Sequence, residues 1–76
     1  MFDRITSNPA ILGGKPIVRG TRISVEMILE WMASGATQDK IVERHPHLTL
    51  LDVEQALAYA AAAMKNEVLL IAQAAE

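Results

Sequence analysis

Glycine and proline are gathered almost wholly in one half of this sequence, and that partition decides what it can fold into. Gly13, Gly14 and Gly20, with Pro9 and Pro16, all precede Thr21, whereas neither residue type occurs from Thr49 to Glu76. The second segment is rich in alanine, the best helix former, so it predicts one continuous helix. Capped by Thr49, with Asp52 completing a variant capping box, that helix would run to about 27 residues and about 40 Å. Its predicted inward stripe is Val53, Leu57, Ala60, Met64, Val68 and Ile71. A rod of that length exceeds what a small bundle covers, and Val68 to Ala72 is apolar nearly all round. Met64, Val68, Leu69, Leu70 and Ile71 are therefore the candidate oligomer interface.

Two shorter helices are expected before it. Ser24 reads as an N-cap with Glu26 in the first turn, and Val25, Ile28, Leu29 and Met32 fall on one face. Gly35 stands where a left-handed residue would end this helix. Thr37 caps the next, Ile41 and Val42 face inward, and His45-Pro46 stops it, because a residue before proline avoids helical geometry. Trp31 is read as core although it lies off the main stripe. The expected class is mainly α: a three-helix, homeodomain-like helix-turn-helix bundle over residues 24–76, with an arm over residues 1–23 and a long last helix.

The arm is punctuated by Asn8-Pro9 and Gly13-Gly14. Ile17-Val18 and Thr21-Arg22-Ile23 are short β-prone stretches flanking Arg19-Gly20, which reads as a tight hairpin or an extended edge strand. Pro16 lacks an N–H and so places this strand at an edge or a strand start.

Charge follows the same partition. Arg4, Lys15, Arg19 and Arg22 against Asp3 leave the first 22 residues at +3, and three cations against eight acids leave the remainder at −5. A basic arm on an acidic body points to an anionic partner for the arm, or to contact between the arm of one subunit and the body of another. Arg4, Lys15, Arg19 and Arg22 are the candidate partner- or nucleic-acid-binding residues. Arms of this kind meet phosphates or a minor groove, or place guanidinium groups on protein carboxylates. The plainer reading is an edge strand with ordinary solubilising charges. At the start of the third helix only Gln55 suits a base edge, while Asp52 and Glu54 carry the wrong sign for phosphate, so insertion of that helix into a major groove is not expected.

Other chemistries find little support. A phosphate loop at Gly13-Gly14-Lys15 would need glycine where Pro9 stands and serine or threonine where Pro16 stands. His45 and His47 lack a third ligand nearby, there is no cysteine, and no metal or other cofactor is expected. No histidine lies near a serine and a carboxylate in a recognisable motif, and the acids are read as solvent-facing, so the chain is expected not to be an enzyme. Zero cysteines, no basic-then-apolar leader and no apolar run of about 18 residues make the cytoplasm the expected compartment. An apolar fraction of 51% with only Phe2, Trp31 and Tyr59 as aromatics leaves aliphatic surface for another chain, so a homo-oligomer is expected.

Arg4-Ile-Thr-Ser-Asn-Pro9, Ile11-Leu-Gly-Gly-Lys-Pro16 and Arg19-Gly-Thr-Arg22 closely resemble the prokaryotic family catalogued as domain of unknown function 433. Gly35, Ile41, His45-Pro46, Leu48-Thr49, Val53 and Ala56-Leu-Ala-Tyr59 extend the resemblance. It implies a homeodomain-like helix-turn-helix fold and, for many members, a role as a VapB-like antitoxin paired with a PIN-like nuclease toxin. Antitoxins of this kind often also repress their own operon. The resemblance therefore implies neutralisation of a PIN-like ribonuclease. It does not assign a ligand to Lys15, Arg19 and Arg22, and the charge reading adds the expectation that Arg19 and Arg22 meet a carboxylate-rich site on that partner. A homodimeric DNA-binding transcriptional regulator and an oligomerisation scaffold are the alternatives.

Overall fold

The computed structural model describes the backbone from Phe2 to Ala75 and side-chain surroundings through Lys65. Strand β1 (Ile5–Thr6) leads through a 3-10 turn (Leu12–Gly14) to β2 (Ile17–Val18), and helices α1 (Val25–Ala33), α2 (Gln38–Arg44) and α3 (Leu50–Ala75) follow. The two strands pair antiparallel, Ile5 opposite Val18 and Thr6 opposite Ile17. Helix α3 packs against α1, α2 and β1. Its 26 residues make a rod of about 39 Å.

Local chemistry sets the helix ends. Ser24 Oγ accepts from the Met27 N–H at 2.9 Å and Thr37 Oγ1 from the Lys40 N–H at 3.2 Å, each satisfying an orphan donor of a first turn. Thr49 and Asp52 form the expected reciprocal box: the Asp52 N–H donates to Thr49 Oγ1 and the Thr49 N–H to Asp52 Oδ2, at 3.1 and 3.0 Å. At the other ends, α1 closes on Gly35 at φ +107, and α2 on His45, whose N–H donates to the Ile41 carbonyl.

A Cβ added to Gly35 would meet nothing within 4 Å, so the constraint there is purely backbone conformation. Gly35→Ala is therefore expected to cost about 1 kcal/mol, read as a lower thermal midpoint. An unchanged midpoint would mean that the turn relaxes at no cost.

One core holds arm and bundle together. Ile5, Val18, Val25, Ile28, Ile41, Leu48, Val53 and Ala56 are buried in a single cluster, with Phe2, Trp31, Met32, Leu57 and Tyr59 packed around it. Phe2 meets Tyr59 edge to face, with ring centroids 5.5 Å apart.

Several expectations need correcting. The regular partner of Ile17–Val18 is Ile5–Thr6, not Thr21–Ile23. The chain does reverse at Gly20 (φ +82), and the Val18 N–H reaches the Ile23 carbonyl, but only one bridge, Ile17 to Ser24, continues that side. The strand is thus flanked on both sides, and Pro16 marks its start rather than a free edge. In α1, Leu29 is 36% exposed instead of buried; the inward positions are Val25 and Ile28, with Trp31 and Met32 packed against the same core. In α3 the buried positions are Asp52, Val53 and Ala56, while Leu57 and Ala60 are half-buried. Met64 is 47% exposed, so the inward stripe ends before it. That exposure leaves Met64 open to a partner. Val68, Leu69, Leu70 and Ile71 lie outside the described side chains.

Candidate functional site

The basic segment is fastened to the helices rather than hanging free of them. Arg4 begins the fastening. Its backbone N–H donates to Gln55 Oε1 at 2.8 Å, and its Nε donates to Asp52 Oδ1 at 2.6 Å. Gln55 also donates from its amide to Asp3 Oδ1 at 2.9 Å. Residues 3 and 4 are therefore held by the first two turns of α3, across 48 to 52 positions of sequence. The grip passes on to β2, because the Arg19 N–H donates to the Arg4 carbonyl at 2.8 Å.

Asp52 is the hub of this arrangement. It is fully buried, and its two oxygens serve different elements, one the Arg4 guanidinium and the other the Thr49 N–H. Burial alone would push this carboxyl up. The hydrogen bond from Arg4, the Thr49 N–H and the positive charge of Arg4 outweigh burial and hold it below the ordinary value of 3.8. The same bond raises the pKa of Arg4. Asp3 is also lowered, first by the Gln55 amide and then by its own backbone N–H. Sequence reasoning placed Asp52 among solvent-facing acids, and that is corrected here. Its capping role was legible, but its second oxygen faces inward to a residue far away in sequence.

The expected site residues thus divide. Arg4 and Gln55 are engaged inside the molecule, and Gln55 is not presented to a base edge. Lys15 pairs with Glu26 at 2.7 Å on an exposed surface, each side chain more than half accessible. Arg19 donates from Nε to the Asp3 carbonyl at 2.9 Å, which orients the guanidinium without neutralising it. Arg22 is exposed and, among the described residues, has no side-chain hydrogen bond or ion pair. Arg19 lies on the turn from Val18 to Thr21 and Arg22 directly follows it; the turn is closed by the Thr21 N–H to the Val18 carbonyl and by Thr21 Oγ1 to the same oxygen. Beside the turn lies an open groove of about 600 Å³ lined by Arg22, Thr21, Ser7, Asn8 and Ile11, with buried Ile17 in its wall and no acidic residue.

Two apolar residues, not read as functional in the sequence, open α3: Leu50 is 45% exposed and Leu51 51%. Their signal was their position, outside the stripe that Val53 and Ala56 define. Trp31, expected in the core, is half-buried and stacks on His45, with centroids 4.4 Å apart and planes 10° apart. Among the described residues no cluster of three or more histidines or acids suits a metal ion, and no helix is long and apolar enough to cross a membrane.

Comparison with known proteins fits this geometry. The chain is 40% identical over 58 residues to the uncharacterized protein y4eO of Sinorhizobium fredii, covering 76% of this chain and 26% of that protein. It therefore spans about a quarter of that relative's length. A crystal structure of a DUF433 member from Anabaena variabilis superposes with a TM-score of 0.79 at 27% identity, over 92% of this chain and 69% of that one. The family model described as protein of unknown function (DUF433) matches residues 5–60, which take in both strands, α1, α2 and the first part of α3. The chain belongs to the DUF433 family.

Proposed function

We propose that this protein is a protein-binding module of antitoxin type, whose Arg19 and Arg22 engage carboxylates of a PIN-like ribonuclease and so silence it. The observation that carries the reading is the commitment of the α3 start. Asp52 and Gln55 are spent on the arm, and the residues left outward are Leu50 and Leu51. Two exposed leucines beside Glu54 suit an apolar protein contact and offer no hydrogen bond to a base edge or phosphate. The two exposed arginines, Arg19 oriented by the Asp3 carbonyl and Arg22 close to it in sequence, supply planar groups that match carboxylates. The short connections from α1 to α2 and from α2 to α3 accord with a homeodomain-like helix-turn-helix, a shape that serves many functions.

The same arginines would also meet phosphates, and autorepression of an operon is compatible with this role. The discriminating experiment titrates the protein against a purified PIN-like nuclease and, separately, against duplex DNA over a salt series. The proposal expects stoichiometric loss of nuclease activity and a weak DNA interaction. Nuclease activity that is untouched by excess protein, with tight DNA binding that falls steeply as salt rises, would instead identify a DNA-binding regulator.

A further inference from the structure

A second concave site lies away from the arm and shares no residue with its groove. It is a cavity of about 410 Å³ between the end of α1 and the outer face of α2, within the size range of small-molecule sites. Trp31 and His45, stacked in parallel, both line it. Lys40 and Arg44, one helical turn apart on α2, also line it, and Ser34, Gly35, Ala36 and Ile41 complete it. No acidic side chain is among these residues, on a body that otherwise carries an excess of acids.

We infer that this cavity binds a small planar anion, an aromatic ring bearing a phosphate or a carboxylate. Trp31 and His45 cover one face of each other and both border the cavity, so together they contribute aromatic surface to its lining. Lys40 and Arg44, at i and i+4 on α2, contribute two full positive charges to the lining. The carbonyl ends of α1 and α2 also approach the cavity, but each amounts to only about half a negative charge, partly met by their caps. Glu43 touches Lys40 at 3.5 Å, with both side chains more than 60% exposed. Such a loose surface pair yields readily to a ligand. The plainer account of Arg44, a cation at a helix C-terminus, explains neither the parallel aromatic pair nor the cavity it borders.

Trp31 is the only tryptophan in the sequence, so its indole N–H gives a single resonance that reports on this site. Adenosine 5′-monophosphate and indole-3-acetate are titrated into the full chain as the two ring-bearing anions. Adenosine serves as the ring without charge and inorganic phosphate as the charge without ring. The expected result is a saturable shift with at least one ring-bearing anion, the tighter of the two naming the anionic group. Adenosine and phosphate should each bind at least ~10-fold more weakly, about 1.4 kcal/mol. Lys40→Ala with Arg44→Ala, both at exposed positions, should weaken the shift by a similar factor while leaving the thermal midpoint in place. The milder Arg44→Gln serves if the double variant is unstable. The inference is overturned if neither anion saturates at millimolar concentration. It is equally overturned if the uncharged ring or bare phosphate binds as well, or if the cation-free variant binds unchanged.

Discussion

Asp52→Ala is expected to lower the thermal midpoint by roughly 10–30 °C, the largest loss expected from a single polar residue among those described. The side chain is fully buried and makes two bonds at once, to Arg4 Nε and to the Thr49 N–H. Losing a helix cap costs about 1 kcal/mol, and losing a hydrogen bond to a charged partner costs about 1.5–3 kcal/mol. Arg4 is 37% exposed and can turn to water, so the full penalty of an abandoned buried charge does not apply. The sum, roughly 2–4 kcal/mol, is a large part of what a domain this small possesses, and each kcal/mol moves the midpoint by about 4–8 °C. Asp52→Asn should fall between, because an amide offers one acceptor where two donors converge. Lys15→Ala, which removes an exposed pair, should leave the midpoint unchanged. A midpoint shift below about 4 °C for Asp52→Ala would show that the hub contributes little.

The acid side of the stability profile follows with a definite sign. The Asp52 carboxyl is held below its ordinary 3.8 in the folded protein. Its contribution is therefore fully present above that value and is lost as the pH falls through the lower folded value. Asp3, lowered as well, acts in the same direction. Acid melting series should thus show a steeper loss for the wild type below about pH 4 than for Asp52→Asn.

The second large effect concerns binding. Arg19→Glu with Arg22→Glu is expected to weaken association with the proposed carboxylate-bearing partner by at least ~100-fold, about 2.7 kcal/mol, chiefly through faster dissociation. Each substitution removes an attractive charge and adds a repulsive one, and reversing a contact at a desolvated interface costs more than truncating it. Both side chains are exposed, so the thermal midpoint should hold and the loss belong to binding alone. Arg22→Glu alone should account for much of the effect, since that guanidinium has no partner among the described residues, whereas Arg19 is oriented by the Asp3 carbonyl. Unchanged affinity of the double variant would remove the arginines from the mechanism and leave Leu50 and Leu51 as the contact.

What was legible in the sequence is what local chemistry decides. Ser24, Thr37 and Thr49 each accept from an N–H three residues ahead, and Gly35 and Pro46 stop helices through their own backbone limits. Such signals need only a few neighbours to be read. The pairing of Ile5–Thr6 with Ile17–Val18 is different. Two-residue strands carry no periodicity, and their register depends on where α3 holds Arg4. The Arg4–Asp52–Gln55 contacts join the two ends of the core, and no spacing announces a partner 48 or 51 residues away. For the same reason a charge count treated Arg4 and Arg22 alike, although one is bonded to α3 and the other is exposed with no such bond. The candidate site was therefore half legible: the segment was found, but not which of its cations remain available.

All of this depends on the basic segment being a fixed part of the fold. Backbone 15N relaxation on the full chain tests that most directly, at the amides of Arg4, Val18 and Arg19, all bonded to other segments. Order parameters near those of α1, about 0.85, are expected at all three positions. Values below about 0.6 at these amides, with α1 still rigid, would mean a loose arm and would contradict the account.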